Sequence, residues 1–411
     1  MITAYASTPN NEKTAVLLTT KELVLQIHEQ NILLDAHADI VLPTTSKAYL
    51  DENGESKVSP AKLTLGGMGV VVMSVAVGPG PRSAKGDAQA RLIADQKLLA
   101  VRVLLEDAEH NAVLATSLAE IIAAKEQGKI AILLGFQNAR SLQGDVANLD
   151  YFYQQGVRVF GLNHLGHNDF SDSSRPFYHS NTASYEPASE HGGLSELGVT
   201  AIHRINALGA LVDISQMSQQ AALQTLTISR APVIASHSNA RAITNVSRNL
   251  SDIEFDKIAL NGGVVHVAAF GAYLVDLSAP ATLDAIIEIR LKHGLPKEYS
   301  YPYELYWELD DQSAKQAFLI EMRSAIGAGA VSDMVKHIDY IVRRIGIDHV
   351  GIGNDFNHGS GIQGFADASQ ARNLTAALIE HGYSIIDIEK IWGGNFLRVL
   401  GEAERLAGGA Q

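Results

Sequence analysis

Short apolar runs recur along this 411-residue chain, and most are followed by a longer stretch whose apolar positions repeat at helical spacing. The runs cover 32–35, 69–77, 130–136, 157–162, 211–215, 233–236, 264–269 and 350–353. They are continuous rather than alternating, as in parallel strands covered on both faces. The spacing predicts helices over 87–105, 117–127, 149–155, 194–208, 218–229 and 251–261, then over 281–293, 313–326, 331–344, 366–381 and 385–403. Eight such strands alternating with helices predict an α/β fold, a (β/α)8 TIM barrel, rather than an open sheet.

Residues 1–30 read as an N-terminal extension with a helix, and 31–411 as one barrel with two excursions. Residues 168–193 are polar and rich in Ser, His and Pro, which suits a long loop over the barrel mouth. An inserted helical and aromatic segment spans 279–345 and holds Tyr299, Tyr301, Tyr303, Tyr306 and Trp307. That clustering suits a lid or a subunit contact, and equally a surface loop packing its own aromatics.

Composition narrows the partners. A formal charge of −13 disfavours nucleic acid and anionic membrane surfaces. The absence of cysteine excludes disulfides and thiolate catalysis, so any metal must be held by His, Asp or Glu. No apolar run approaches the roughly 20 residues that span a bilayer, and the chain reads as soluble. Ala4-Tyr5-Ala6 looks like the tail of a cleavage site, so cytoplasm and periplasm both stay open.

The polar residues fall where barrel chemistry is carried, at the C-terminal ends of the strands. His37 and Asp39 follow the first run, and Gln137-Asn138 follow the third. Asn163-His164 follow the fourth, Asp213 and Gln216 sit on and after the fifth, His237 ends the sixth, and Asp355 ends the eighth. Alternate residues of a strand share a side, so His37 and Asp39 can meet one ion. Imidazole with carboxylate suits Zn²⁺, with Mn²⁺ or Fe²⁺ as alternatives. His167 and His358 read as rim histidines, and His266 as a barrel-interior histidine.

The ordered motifs LDAHADIVLP (34–43), GKIAILLG (128–135), GGLS (192–195), SRAPVIASHS (229–238), SRNL (247–250), GIGNDF (351–356) and GNFLRV (394–399) resemble the membrane (renal) dipeptidases, peptidase family M19, over nearly the whole chain. The resemblance implies an amidohydrolase-like barrel, a homodimer, and two metal ions, usually zinc, at its mouth. It implies that His37, Asp39 and Asp355 hold the first ion and that Asp355 also carries a proton. His237 would serve the second ion, His164 would steady the scissile carbonyl oxygen, and Arg248 would receive the substrate's C-terminal carboxylate.

Two positions depart from that pattern. The bridging glutamate falls on Gln137 and the other second-site histidine on Gln216. Two dications about 3.5 Å apart repel by on the order of 20 kcal/mol at an effective dielectric of about 20, which a bridging carboxylate normally offsets. One firmly bound ion is therefore expected, with Gln137 and Gln216 as weak ligands at most. The expected activity is metal-dependent hydrolysis of a dipeptide, or of another N-acyl amino acid. A binding relative with impaired catalysis is the competing reading.

Overall fold

The computed structural model describes residues 3–4, 16–179, 181–306, 309 and 311–408. Trp307, Tyr5, Ala6 and the last three residues lie outside the described ones. Eight parallel strands form the barrel: β1 (Leu34–Asp39), β2 (Val70–Ala76), β3 (Ile130–Gln137), β4 (Val157–Gly161), β5 (Leu211–Asp213), β6 (Ile234–Ala235), β7 (Val264–Val267) and β8 (Val350–Ile352). They are hydrogen-bonded in sequence order from β1 to β8. The two ends of the sheet meet where Asp355 N–H donates to the His37 carbonyl (2.9 Å) and Asp39 N–H to the Phe356 carbonyl (2.8 Å). Helices cover the outer face, which is why the expected strands are mostly apolar rather than alternating.

Each predicted strand is present. β1 runs to Asp39, so His37 and Asp39 lie within it rather than beyond its end. A search for apolar runs stops short there because the strand turns polar where it enters the site. A short strand, Ala112–Leu114, was not foreseen; it pairs with the first residues of β3, and β4 takes over as β3's neighbour only from Leu134 onward. The helix expected over 385–403 is interrupted by a π-helical turn at Lys390–Gly394. At that turn Gly393 lies so close to the chain that an added Cβ would stand 2.3 Å from the Ile32 carbonyl oxygen. The side-chain amide of Asn395 donates to the carbonyls of Ile347 and Val350.

The helix Thr20–Gln30 packs Leu23, Val24 and Ile27 into the main core. The inserted segment builds a satellite cluster in which Tyr301, Leu305, Phe318 and Met322 are buried together with Tyr273. The hydroxyls of Tyr306 and Tyr49 meet at 2.6 Å, so the aromatic segment is joined to the loop after β1.

Three histidines are structural. His28 joins the Gly66 carbonyl and the Thr375 hydroxyl, and His266 joins the Ala235 carbonyl inside the barrel. His337 accepts from Ala240 N–H and so donates to the Leu274 carbonyl. Burial pushes all three down to about 4 from 6.5. The unfolded chain therefore binds more protons than the folded one between pH 6.5 and 4, and stability is lost as pH falls through that window. Urea unfolding is expected to show a loss of roughly 2 kcal/mol per histidine between pH 6.5 and 5. His337→Gln should be less stable at pH 7 yet lose less on acidification; an unchanged slope would refute the assignment.

Candidate active site

The site begins with an irregularity in β1. Asp35 pairs with Val71 and Ala38 with Met73, so two residues of β1 oppose one of β2 and His37 sits in the bulge. Bulges re-aim side chains beside functional sites. Here His37 and Asp39 come to share a side, with His37 Nε2 3.5 Å from Asp39 Oδ1. Asp35 points the other way and accepts from the backbone N–H of His37 (3.1 Å) and from both N–H groups of Asn354 (2.9 Å each). Burial pushes its carboxyl up to about 6. Asp35 thus ties β1 to the end of β8, where Asp355 follows in the left-handed region (φ 59°). Asp355 Oδ1 stands 3.8 Å from His37 Nε2.

The protons of the two stacked histidines can be traced. Asp213 can only accept, so the Ser236 hydroxyl donates to it (2.5 Å) and itself accepts from His237 Nδ1–H (2.7 Å). His37 Nδ1 lies 3.4 Å from the same hydroxyl. Both rings therefore present an Nε2 lone pair inward, stacked with centroids 3.9 Å apart. His37 Nε2 and Asp39 Oδ1 are buried and have no hydrogen-bond partner. Ligand atoms of His37, His237 and Asp355 lie within 4.8 Å of one another, with Asp39 joined through His37. Buried acceptors without a donor, here His37 Nε2 and Asp39 Oδ1, cost free energy unless a cation sits beside them. This donor set fits one small divalent ion.

It does not extend to a second. Arg175 donates to Gln216 Oε1. A guanidinium has no acceptor, so this contact fixes the amide orientation and turns Gln216 Nε2 toward His237 Nε2 at 3.3 Å. Gln137 Nε2 faces the same atom at 3.2 Å. The His237 lone pair is thus met by amide N–H groups, where a second ion would need oxygen or another lone pair. Burial keeps His237 neutral, well below its usual pKa.

Around this floor stand the remaining groups. His164, after β4, is buried and held neutral by that burial, and its Nδ1 has no partner. Arg248 donates through Nη2 to the His237 carbonyl (2.8 Å), while its Nε and Nη1 are buried without partners. Burial works against the Asp39 carboxylate, but Lys97 and His358 hold it well below the usual range. Burial raises Asp355 above that range. His358 Nδ1–H donates to Asp39 Oδ2 (3.1 Å), so it belongs to the site as well as to its rim. His167 is not a rim residue: it is buried, bonded to the Pro187 carbonyl and to Ser173 N–H, and pins the mouth loop.

Sequence reasoning missed Arg175, Lys97 and the positioning role of Asp35. Asp35 was detectable as the carboxylate that closes the first apolar run. Lys97 on its helix and Arg175 in its loop carry no such signal. Above the site lies a cavity of about 1090 Å³, lined by Asp39, His164, Arg175 and His358 among others and walled by Tyr49, Tyr273, Tyr301, Tyr303 and Tyr306. The aromatic segment therefore forms a wall of the cavity.

A family model described as membrane dipeptidase (peptidase family M19) matches residues 22–411. Dipeptidase aclJ of Aspergillus oryzae is 29% identical over 281 residues, covering 68% of this chain and 53% of that protein. Dipeptidase tcpJ of Claviceps purpurea is 28% identical over 289 residues, covering 70% and 54%. The matched region spans about half the length of these curated relatives. The crystal structure of the probable dipeptidase PvdM from Pseudomonas aeruginosa superposes with a TM-score of 0.82 at 32% identity, covering 94% of this chain and 99% of that one. A metallo peptidase from Rhodobacter sphaeroides, liganded with a phosphinate mimic of the dipeptide L-Ala-D-Ala, shares the fold at a TM-score of 0.68 and 20% identity, covering 91% and 100%.

Proposed function

Because the chain belongs to the membrane dipeptidase family, peptidase family M19, we propose that it is a metal-dependent hydrolase cleaving the amide bond of dipeptides with one resident ion, Zn²⁺ first among the candidates. The observation that carries this reading is the convergence of His37 Nε2, Asp39 Oδ1 and Asp355 Oδ1 in a buried space, the first two without a hydrogen-bond partner. A divalent cation held there supplies the charge that brings a water's pKa toward neutrality.

The chain's own residues supply the rest. Asp355, whose carboxyl is raised by burial, is suited to take a proton from the attacking water and return it to the leaving amine. His164 stays neutral and offers a ring N–H to the developing oxyanion. The free Nε–H and Nη1–H of Arg248 suit two-point capture of a terminal carboxylate. Lys97 and His358 keep Asp39 ionised, and so ready as a ligand. No helix among the described residues is long and apolar enough to cross a membrane. A homodimer is proposed from the family alone.

One observation favours a broader substrate. A cavity near 1090 Å³ is at the large end for a small-molecule site and exceeds what a dipeptide fills. An N-acyl amino acid with a bulky acyl group, its carboxylate on Arg248, is the second reading. The deciding experiment is metal content per chain paired with a hydrolysis screen of dipeptides, including ones with a C-terminal D-residue, and N-acyl amino acids. About one ion per chain with turnover supports the proposal. Two ions with turnover would show that Gln137 and Gln216 admit a second site. No ion and no turnover after incubation with Zn²⁺ or Mn²⁺ would leave a binding relative.

A further inference from the structure

Arg175 is a buried cation with no ion pair among the described residues, and the carboxylates of Glu304 and Asp355 act on it only from beyond contact distance. It lies in the mouth loop just after Asp172, which anchors that loop by accepting from Ser189, Glu190, His191 and Gly193. The residue is 3% exposed, and among the described residues no carboxylate lies within ion-pair distance of it. One Nη donates to the neutral Gln216 amide, its Nε is buried without a partner, and its Cζ stands 5.0 Å above the Tyr301 ring. The residue nonetheless borders the open cavity. Arg248 is in the same condition behind Tyr273, 5.1 Å from that ring, and close enough to Arg175 to feel its charge. Six basic and four acidic side chains line the cavity in a chain whose net charge is −13. Burying an unpaired guanidinium is expensive, and two in one site are sustained most readily where an anionic ligand completes both.

We propose that Arg175 is a second anion-binding group, and that the site selects substrates whose C-terminal residue carries a further carboxylate, aspartate or glutamate in type. The α-carboxylate goes to Arg248 and the side-chain carboxylate to the free N–H of Arg175. This assignment rests on the proposed role of Arg248 and makes Arg175 a specificity residue. A glutamine side chain has the same shape without the charge, so the pair Glu against Gln isolates the interaction.

The test is calorimetric binding of glutamate and glutamine, in both enantiomers, to the enzyme with its native metal, beside kcat/KM for Ala-Glu and Ala-Gln. Glutamate is expected to bind about 10- to 100-fold tighter than glutamine, the range of one charge-assisted hydrogen-bonded pair. Arg175→Met should bring that ratio to about one and Arg175→Lys should keep part of it, because lysine retains the charge without the fork. Arg175→Met replaces an unpaired buried charge by an apolar chain, so its melting temperature should hold or rise. Equal binding of the two amino acids, binding of neither, or a preference that survives Arg175→Met would each overturn the proposal. Glutamate preference without any turnover would leave it standing and remove the hydrolase reading instead.

Discussion

Asp355→Asn is expected to lower kcat/KM by about 10³-fold or more while leaving the fold intact, since loss of a positioned proton carrier alone costs about 10²- to 10⁴-fold. The substitution isolates charge with unusual cleanness. Asp355 sits at φ 59°, where asparagine is among the best tolerated side chains, so no backbone strain is added. Its N–H still donates to the His37 carbonyl and still joins β8's end to β1. What disappears is the negative charge 3.8 Å from His37 Nε2. Metal retention should fall with activity, because an amide oxygen is a poorer ligand than a carboxylate for a borderline cation. The check is metal per chain after dialysis, kcat/KM on the best substrate found, and thermal unfolding. Activity within tenfold of the parent would remove Asp355 from the mechanism. A collapse in melting temperature would instead assign it to barrel closure.

Arg248→Met should raise KM by on the order of 100-fold with a smaller change in kcat, as the loss of one partner of a buried charge pair costs about 2–5 kcal/mol. A carboxylate held away from the reacting bond is bound alike in ground and transition states, which is why the effect belongs mainly to KM. The free enzyme loses the Nη2–H bond to the His237 carbonyl and the cation beside the Tyr273 ring, since Nε and Nη1 have no partners there. The variant should therefore unfold near the parent's temperature. A substrate with a C-terminal carboxamide supplies the other half of the cycle: parent and variant should handle it equally poorly. If the variant discriminates acid from amide as the parent does, Arg248 is not the anchor.

Much of this architecture is written locally. A parallel strand covered on both faces has to be apolar along its length, so the runs that became β2, β3, β4 and β7 can be seen without any knowledge of their partners. The barrel's chemistry lies at the strand ends, so His37, Asp39, His164, His237 and Asp355 announce themselves by following or closing apolar runs. Even the departures at Gln137 and Gln216 are sequence facts, and their consequence follows from the charge of the ligands.

Other features depended on distance through space. His237 reads as a ligand for a separate second ion, yet its ring stacks on His37 at 3.9 Å and its lone pair faces two amide nitrogens. Nothing local to residues 216 or 237 reveals that, because the orientation of Gln216 is set by Arg175, 41 positions away. Lys97 reaches Asp39 from a helix, and Asp35 reaches Asn354 across the barrel seam. The sequence by itself determined the barrel and the residues at its mouth, since burial and strand-end placement are periodic, local properties. Only the tertiary structure decided which lone pairs are left without a donor, which face an amide, and which guanidiniums have no ion pair among the described residues, because hydrogen-bond direction and charge compensation are settled by groups brought together from loops distant in the chain.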